Sequence, residues 1–288
     1  MYRLLEEPML KTALALTALA AVVIAVLTAL DEAGFLSFAF IAANWWFLIG
    51  PAELALFVTM VSYIIGFGFA IPMGAARAFG PGILKRRDAS SWLFAPVYAF
   101  VSGYAEAVRG TPAFVQILLI DGLVTATVPK LPSVGLWAGV IALTINTAGY
   151  QTEVFRAGFQ SVGQGQLEAA KSIGMRKLQA FRYITFPQGL RLITLPLVNE
   201  WIALFKASSL LWAIAVNELM WGTNYIGVNL GHPIDGFVMG SSFYLAIIIP
   251  LSRTVSYFER KKRIPGLGAT EPSRKRFLGV RRAVSPNL

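Results

Sequence analysis

Glu168-Ala169-Ala170-Lys171-Ser172-Ile173-Gly174, followed after nine residues by Ile184-Thr185-Phe186-Pro187, is a polar insert inside an otherwise membrane-grade sequence. Read as helix, Gly165 to Ser172 is a short amphipathic run. Gly174 interrupts it, because glycine tolerates backbone angles that a side chain forbids. Met175 to Phe186 makes a second run that is expected to stop at Pro187, which has no backbone N–H to donate. The spacing predicts two short helices bent at a glycine.

The rest of the chain decides what such an insert is for. Of its 288 residues 56% are hydrophobic and only 14% charged, too apolar for a soluble domain of this size. The expected fold is all-α, a polytopic transmembrane helical bundle. There is no cysteine, which excludes a disulfide scaffold, a cysteine nucleophile and a thiolate metal site. His232 is the one histidine, so no metal site is expected. The net charge of +10 does not point to nucleic acid, because residues 259–288 alone hold nine Lys or Arg against two Glu. A basic tail after a last membrane helix reads as a cytoplasmic anchor.

Residues 12–30 form an apolar run of 19 residues, enough at about 1.5 Å per residue to cross a hydrocarbon core of about 30 Å. Asp31-Glu32 follow directly, where a signal peptide would carry small residues, so the helix is expected to stay uncleaved. Residues 35–51, with Trp45-Trp46, read as an interfacial segment, since indoles prefer the headgroup level. Five further spans are expected at about 53–78, 92–121, 134–155, 192–216 and 236–258. The chain then divides into an N-terminal helix and interfacial segment (1–51), a transmembrane domain (52–258, with the insert at about 160–187) and a basic tail (259–288). Lys and Arg concentrate on one side: Lys85-Arg86-Arg87, the insert (Lys171, Arg176, Lys177, Arg182, Arg191) and the tail, against Lys130 alone on the other. That bias makes the insert and both termini cytoplasmic.

The spacing of Glu168-Ala169-Ala170, Gly174 and Ile184-Thr185-Phe186-Pro187 resembles the EAA loop of ATP-binding-cassette importer permeases, with Phe186 where the family usually has leucine. Glu106-Ala107-Val108-Arg109-Gly110-Thr111-Pro112, then Gln116, looks like the Arg-Gly-Thr-Pro signature of permeases for polar amino acids. Glu153-Val154-Phe155-Arg156 leading to Gly165 resembles that subfamily's approach to its loop. Asn199-Glu200, Lys206 and Ser209-Leu210 resemble its fifth-span pattern, which Glu218-Leu219 closes. The extra N-terminal helix departs from the commoner five-span members, and Ala207 stands where an acidic residue is frequent.

The resemblance implies a permease subunit of a bacterial inner-membrane importer for amino acids or similar small solutes. Its partners would be a cassette ATPase dimer, a second permease subunit, identical or related, and an extracytoplasmic solute-binding protein. Glu168 would anchor the coupling helix, Ala169 and Ala170 would allow close approach, and Gly174 would make the bend. The chain has no Gly-x-x-x-x-Gly-Lys-Ser/Thr phosphate loop, so no cofactor is expected in it, and ATP and magnesium would belong to the partner. No enzyme constellation is visible either. A self-sufficient secondary transporter or channel is the alternative.

The residues themselves leave two readings open at each charged position. Glu106 and Arg109, like Glu153 and Arg156, stand at i,i+3 and can neutralise each other on one helix face. They either clamp spans together or face a wet cavity. Pro112 after Gly110 marks a kink. Lys206 lies two turns beyond Asn199 on one face, with Glu200 on its flank, about 21 Å into the fifth span if that span starts at residue 192. That face either lines the solute pathway or belongs to a hydrogen-bond network inside the bundle.

Overall fold

The computed structural model describes residues 3–261, and every regular element among them is helical. The basic tail expected over 259–288 falls, after Lys261, outside the described residues. The apolar run at 12–30 belongs to α1 (Arg3–Glu32), whose described side chains are mostly exposed. The interfacial segment becomes α2 (Phe38–Asn44), capped by the Ser37 hydroxyl, and a 3-10 turn (Trp45–Leu48) with Trp45 and Trp46 exposed. That turn runs directly into α3 (Ile49–Leu84), which is longer than the span expected from the sequence.

Helix α3 lies along α6 (Val134–Gln160), the most extensive helix pair in the molecule. Lipid tails are as apolar as leucine, so such a pair is held by close backbone approach and not by apolar burial. The buried residues of α3 are accordingly mostly small: Ala52, Ala55, Val58, Thr59, Ser62, Gly66, Ala70, Gly74 and Gly80. A Cβ at Gly74 would sit 2.5 Å from the Phe155 Cβ, so only glycine fits there. The Ser62 hydroxyl donates to the Val140 carbonyl at 3.1 Å across the same seam.

Between them the sequence predicted one kinked span over 92–121. The chain instead forms two helices, α4 (Ala89–Gly110) and α5 (Ala113–Thr127), set at 111° to each other. Thr111 is extended, as the residue before a proline prefers, and Pro112 offers no N–H to carry α4 onward. A kink therefore becomes a corner. Asp88 caps the start of α4, and hydrogen bonds from the Ser90 hydroxyl and the Ser91 N–H hold its carboxyl below the usual carboxylate range.

After α6 come α7 (Gln164–Ser172), α8 (Lys177–Ala180), a π turn (Phe181–Thr185) and α9 (Phe186–Ala207). The second run was expected to end at Pro187. Instead the helix passes through it, because the π turn absorbs the missing hydrogen bond and Pro187 falls in the first turn of α9, where no N–H is needed. A 3-10 segment (Ser208–Ile214), α10 (Leu219–Asn229) and α11 (Pro233–Lys261) complete the described chain.

Among the described residues, three helical stretches are long and apolar enough to cross a membrane, and the bent pair α4 and α5 makes a fourth if counted as one span. Helix α6 is long enough but carries buried Asn146, Thr147, Gln151 and Thr152 on its inner face. Its central position spares it from lipid, so it can be more polar.

Candidate functional site

Helix α7 ends in a hydrogen-bonded reversal. Gly174 adopts φ +80°, its N–H donates to the Lys171 carbonyl at 2.9 Å, and the Met175 N–H donates to the Ala170 carbonyl at 3.0 Å. This pairing is the Schellman motif, in which a left-handed residue closes a helix and glycine takes it without strain. Ala170 is buried, whereas Gly165, Glu168 and Ala169 are exposed. Beyond the bend, Ile184 is half-buried and Pro187 opens α9. The insert also exposes Ile173, Leu178 and, in the π turn, Tyr183 at 76%, 75% and 63%. Apolar side chains so exposed on a polar insert are left uncovered by the described residues.

Three helices, α3, α4 and α6, bring charges together on the insert side of α6. Arg77 of α3 lies 2.8 Å from the Glu153 carboxylate of α6 and 3.6 Å from Glu106 of α4. Arg109 lies 3.8 Å from Glu153. Arg156 grips Glu153 through Nε at 2.8 Å and through Nη2, and donates to Gln160. The expected Glu153–Arg156 pair thus forms. Glu106 and Arg109, expected to neutralise each other along one helix, each find a partner on another helix instead. The cluster is a clamp between spans with one cation more than carboxylates. Arg77 was missed by the sequence reading, although a lone arginine in an apolar span is the signal that could have found it.

Beside this clamp, at the α4–α5 corner, opens a cleft of ≈ 230 Å³, lined by Ala113, Asn146, Thr147, Tyr150, Glu200, Ala203, Leu204 and Ala207. Glu200 is its carboxylate, and its charge interacts with the Arg109 guanidinium. Gln116 does not line the cleft but holds its wall. Its amide donates to the Val108 carbonyl at 2.8 Å and to the Thr111 hydroxyl at 2.7 Å, bracing the corner at Gly110, Thr111 and Pro112, and its oxygen accepts from Asn146 at 3.0 Å. Asn199 and Lys206 are exposed and lie outside the cleft lining. Asn199 is about 100° round the helix from Glu200. Glu200, expected on the flank of the Asn199–Lys206 face, therefore lines the cleft, whereas Asn199 and Lys206 do not.

Outside the spans, Glu218 caps α10 by accepting the Met220 and Trp221 N–H groups at 2.9 and 3.1 Å. Burial pushes its carboxyl up to about 7, against the pull of those two bonds.

With this geometry in place, comparison with known proteins is informative. Residues 89–264 match the family described as binding-protein-dependent transport system inner membrane component. The probable glutamine ABC transporter permease protein GlnM of Bacillus subtilis is 35% identical over 171 residues, 59% of this chain and 77% of its own. The nopaline transport system permease protein NocM of Agrobacterium fabrum is 31% identical over 220 residues, 74% of this chain and 86% of its own. Among solved structures, an amino acid ABC transporter crystallised with histidines superposes with a TM-score of 0.66 at 30% identity, covering 78% of this chain and 99% of that one. The MetNI methionine ABC transporter in an inward-facing form shares the fold, with a TM-score of 0.59 at 22% identity over 74% of this chain and 96% of that one.

Proposed function

We propose, from the premise that this chain belongs to the family of binding-protein-dependent transport system inner membrane components, that it forms half of the pathway of an amino-acid importer and is driven by a separate ATPase. Membership makes it a permease subunit of an ATP-binding-cassette importer in the inner membrane. The observation that carries the finer reading is the insert, a two-helix projection bent at Gly174 with Ile173, Leu178 and Tyr183 uncovered along it. On this reading the insert is cytoplasmic, as are both termini, and the three apolar side chains seat in the ATPase. ATP binding brings two such inserts together and opens the pathway outward. A ligand that binds one state better shifts the balance between them.

In the same reading the cleft receives the solute. Glu200 takes an ammonium group, Asn146, Thr147 and Tyr150 supply neutral polar contacts, and Arg109, outside the cleft lining, is the cation whose charge acts on Glu200. A carboxylate among neutral polar groups suits the amino group of an amino acid delivered by an extracytoplasmic binding protein. A second permease subunit would close the exposed edge at Asn199 and Lys206.

Ile173→Asp tests the coupling surface. The variant should insert and melt like the unaltered chain, since Ile173 touches solvent, yet lose the co-purifying ATPase. Retention of the ATPase in full by this variant would remove the tip from the interface.

A further inference from the structure

Four phenyl rings meet where the insert rejoins the bundle. Phe181 begins the π turn, Phe186 begins α9, Phe159 belongs to the end of α6 and Phe79 to α3. Phe181 stands edge-on to Phe159 at 5.3 Å and 73°, and edge-on to Phe79 at 5.9 Å and 89°. Phe186 lies 6.0 Å from Phe181 and 6.3 Å from Phe159. The cluster continues through Phe155, 5.7 Å from Phe159, into the α3–α6 seam.

The backbone is shaped for this meeting. Residues five apart point about 140° away from each other on an α-helix, so Phe181 and Phe186 would diverge there. The π turn closes a hydrogen bond over five residues, from the Phe186 N–H to the Phe181 carbonyl, and swings both rings to one side. Pro187 enforces the wider turn. It has no N–H for the Tyr183 carbonyl, and its ring would crowd that carbonyl in regular helix. Two departures from a plain helix and one departure from the family's usual leucine therefore serve one cluster.

Contact from α7 into the bundle runs mainly through α8 and then the π turn. We infer that this four-ring joint transmits displacement of the insert to α3, α6 and α9, with Phe181 and Phe159 as positioning residues for coupled transport. The inference rests on the coupling role proposed for the insert. Interdigitated rings pass a push on because a close-packed interior has little free volume to absorb it. They also do so without directional bonds that must break when the helices tilt.

The test uses the full chain in complex with its ATPase and binding protein, reconstituted in lipid vesicles, with solute uptake and ATP hydrolysis measured together. Phe181→Ala and Phe159→Ala should keep the ATPase bound and hydrolysing. Solute moved per ATP should fall by about fivefold or more, the low end of ordinary coupling between sites. Phe181→Leu, which refills the apolar volume, should recover most of the ratio. An unchanged ratio in both alanine variants overturns the inference. Where both alanine variants are lost in purification, Phe181→Val, which leaves part of the apolar volume empty, carries the same measurement, with a smaller fall in the ratio expected and an unchanged ratio decisive against the inference. Failure of the unaltered chain to hold an ATPase at all would instead count against the coupling role of the insert.

Discussion

The α3–α6–α9 seam and the insert are built on opposite terms. In the seam, glycine, alanine, serine and threonine let backbones touch, and Phe155 and Phe159 fill what remains. In the insert, α7 is nine residues long, its buried contact is little more than Ala170, and its apolar residues face outward. A helix that short is marginal without tertiary support. The difference teaches where rigidity resides: the seam is packed within the described chain, while the insert leaves its apolar side chains uncovered.

The strongest way to break that contrast is to add volume to the seam. A Cβ at Gly158 would meet the Ile193 side chain and lie 3.2 Å from the Gly189 carbonyl, so Gly158→Val forces α6 and α9 apart. Overpacking of this kind costs about 1–3 kcal/mol or more. The variant should lower the melting temperature of purified protein sharply, whereas Ile173→Asp should leave it unchanged. Equal melting of the two would erase the distinction.

A smaller effect sharpens the contrast from the other end of the molecule. Glu218 is raised to about 7 by burial, above its value in an unfolded chain. Its stabilising contribution is therefore complete at pH values below about 4.5 and is lost as the pH rises through about 7. Glu218→Gln keeps one oxygen to cap α10 and removes the titration. Its melting temperature relative to the unaltered chain should rise by a few degrees from pH 5 to pH 8, and a difference that is flat in pH would show that this carboxyl does not titrate in the folded chain.

The features legible in the sequence were those fixed by a local rule. Gly174 needed a left-handed backbone, and both the bend and its position follow from the residue alone. The i,i+3 spacing of Glu153 and Arg156 likewise gave a pair that forms. Where a local rule competed with a distant partner, the distant partner won. Glu106 and Arg109 pair across helices because Arg77 and Glu153 of other spans come closer in charge and geometry.

Pro187 was read as a stop because the rule for proline is local, while the π turn that accommodates it depends on the rings of Phe159 and Phe79. Pro112 was legible as a break but not as a corner of 111°, whose size is set by the Gln116 amide and Asn146. Glu200, read on the flank of the Asn199–Lys206 face, is the one of the three that lines the cleft, since a single chain does not say which face of a helix meets its neighbours.

The central claim is that this subunit moves solute only when an ATPase grips its insert. The direct measurement places the chain in lipid vesicles with its ATPase and binding protein and follows ATP hydrolysis as solute is added. A stoichiometric complex whose hydrolysis rises with solute, and whose uptake stops without ATP, is the predicted result. Solute uptake by this chain alone in ATP-free vesicles would contradict it.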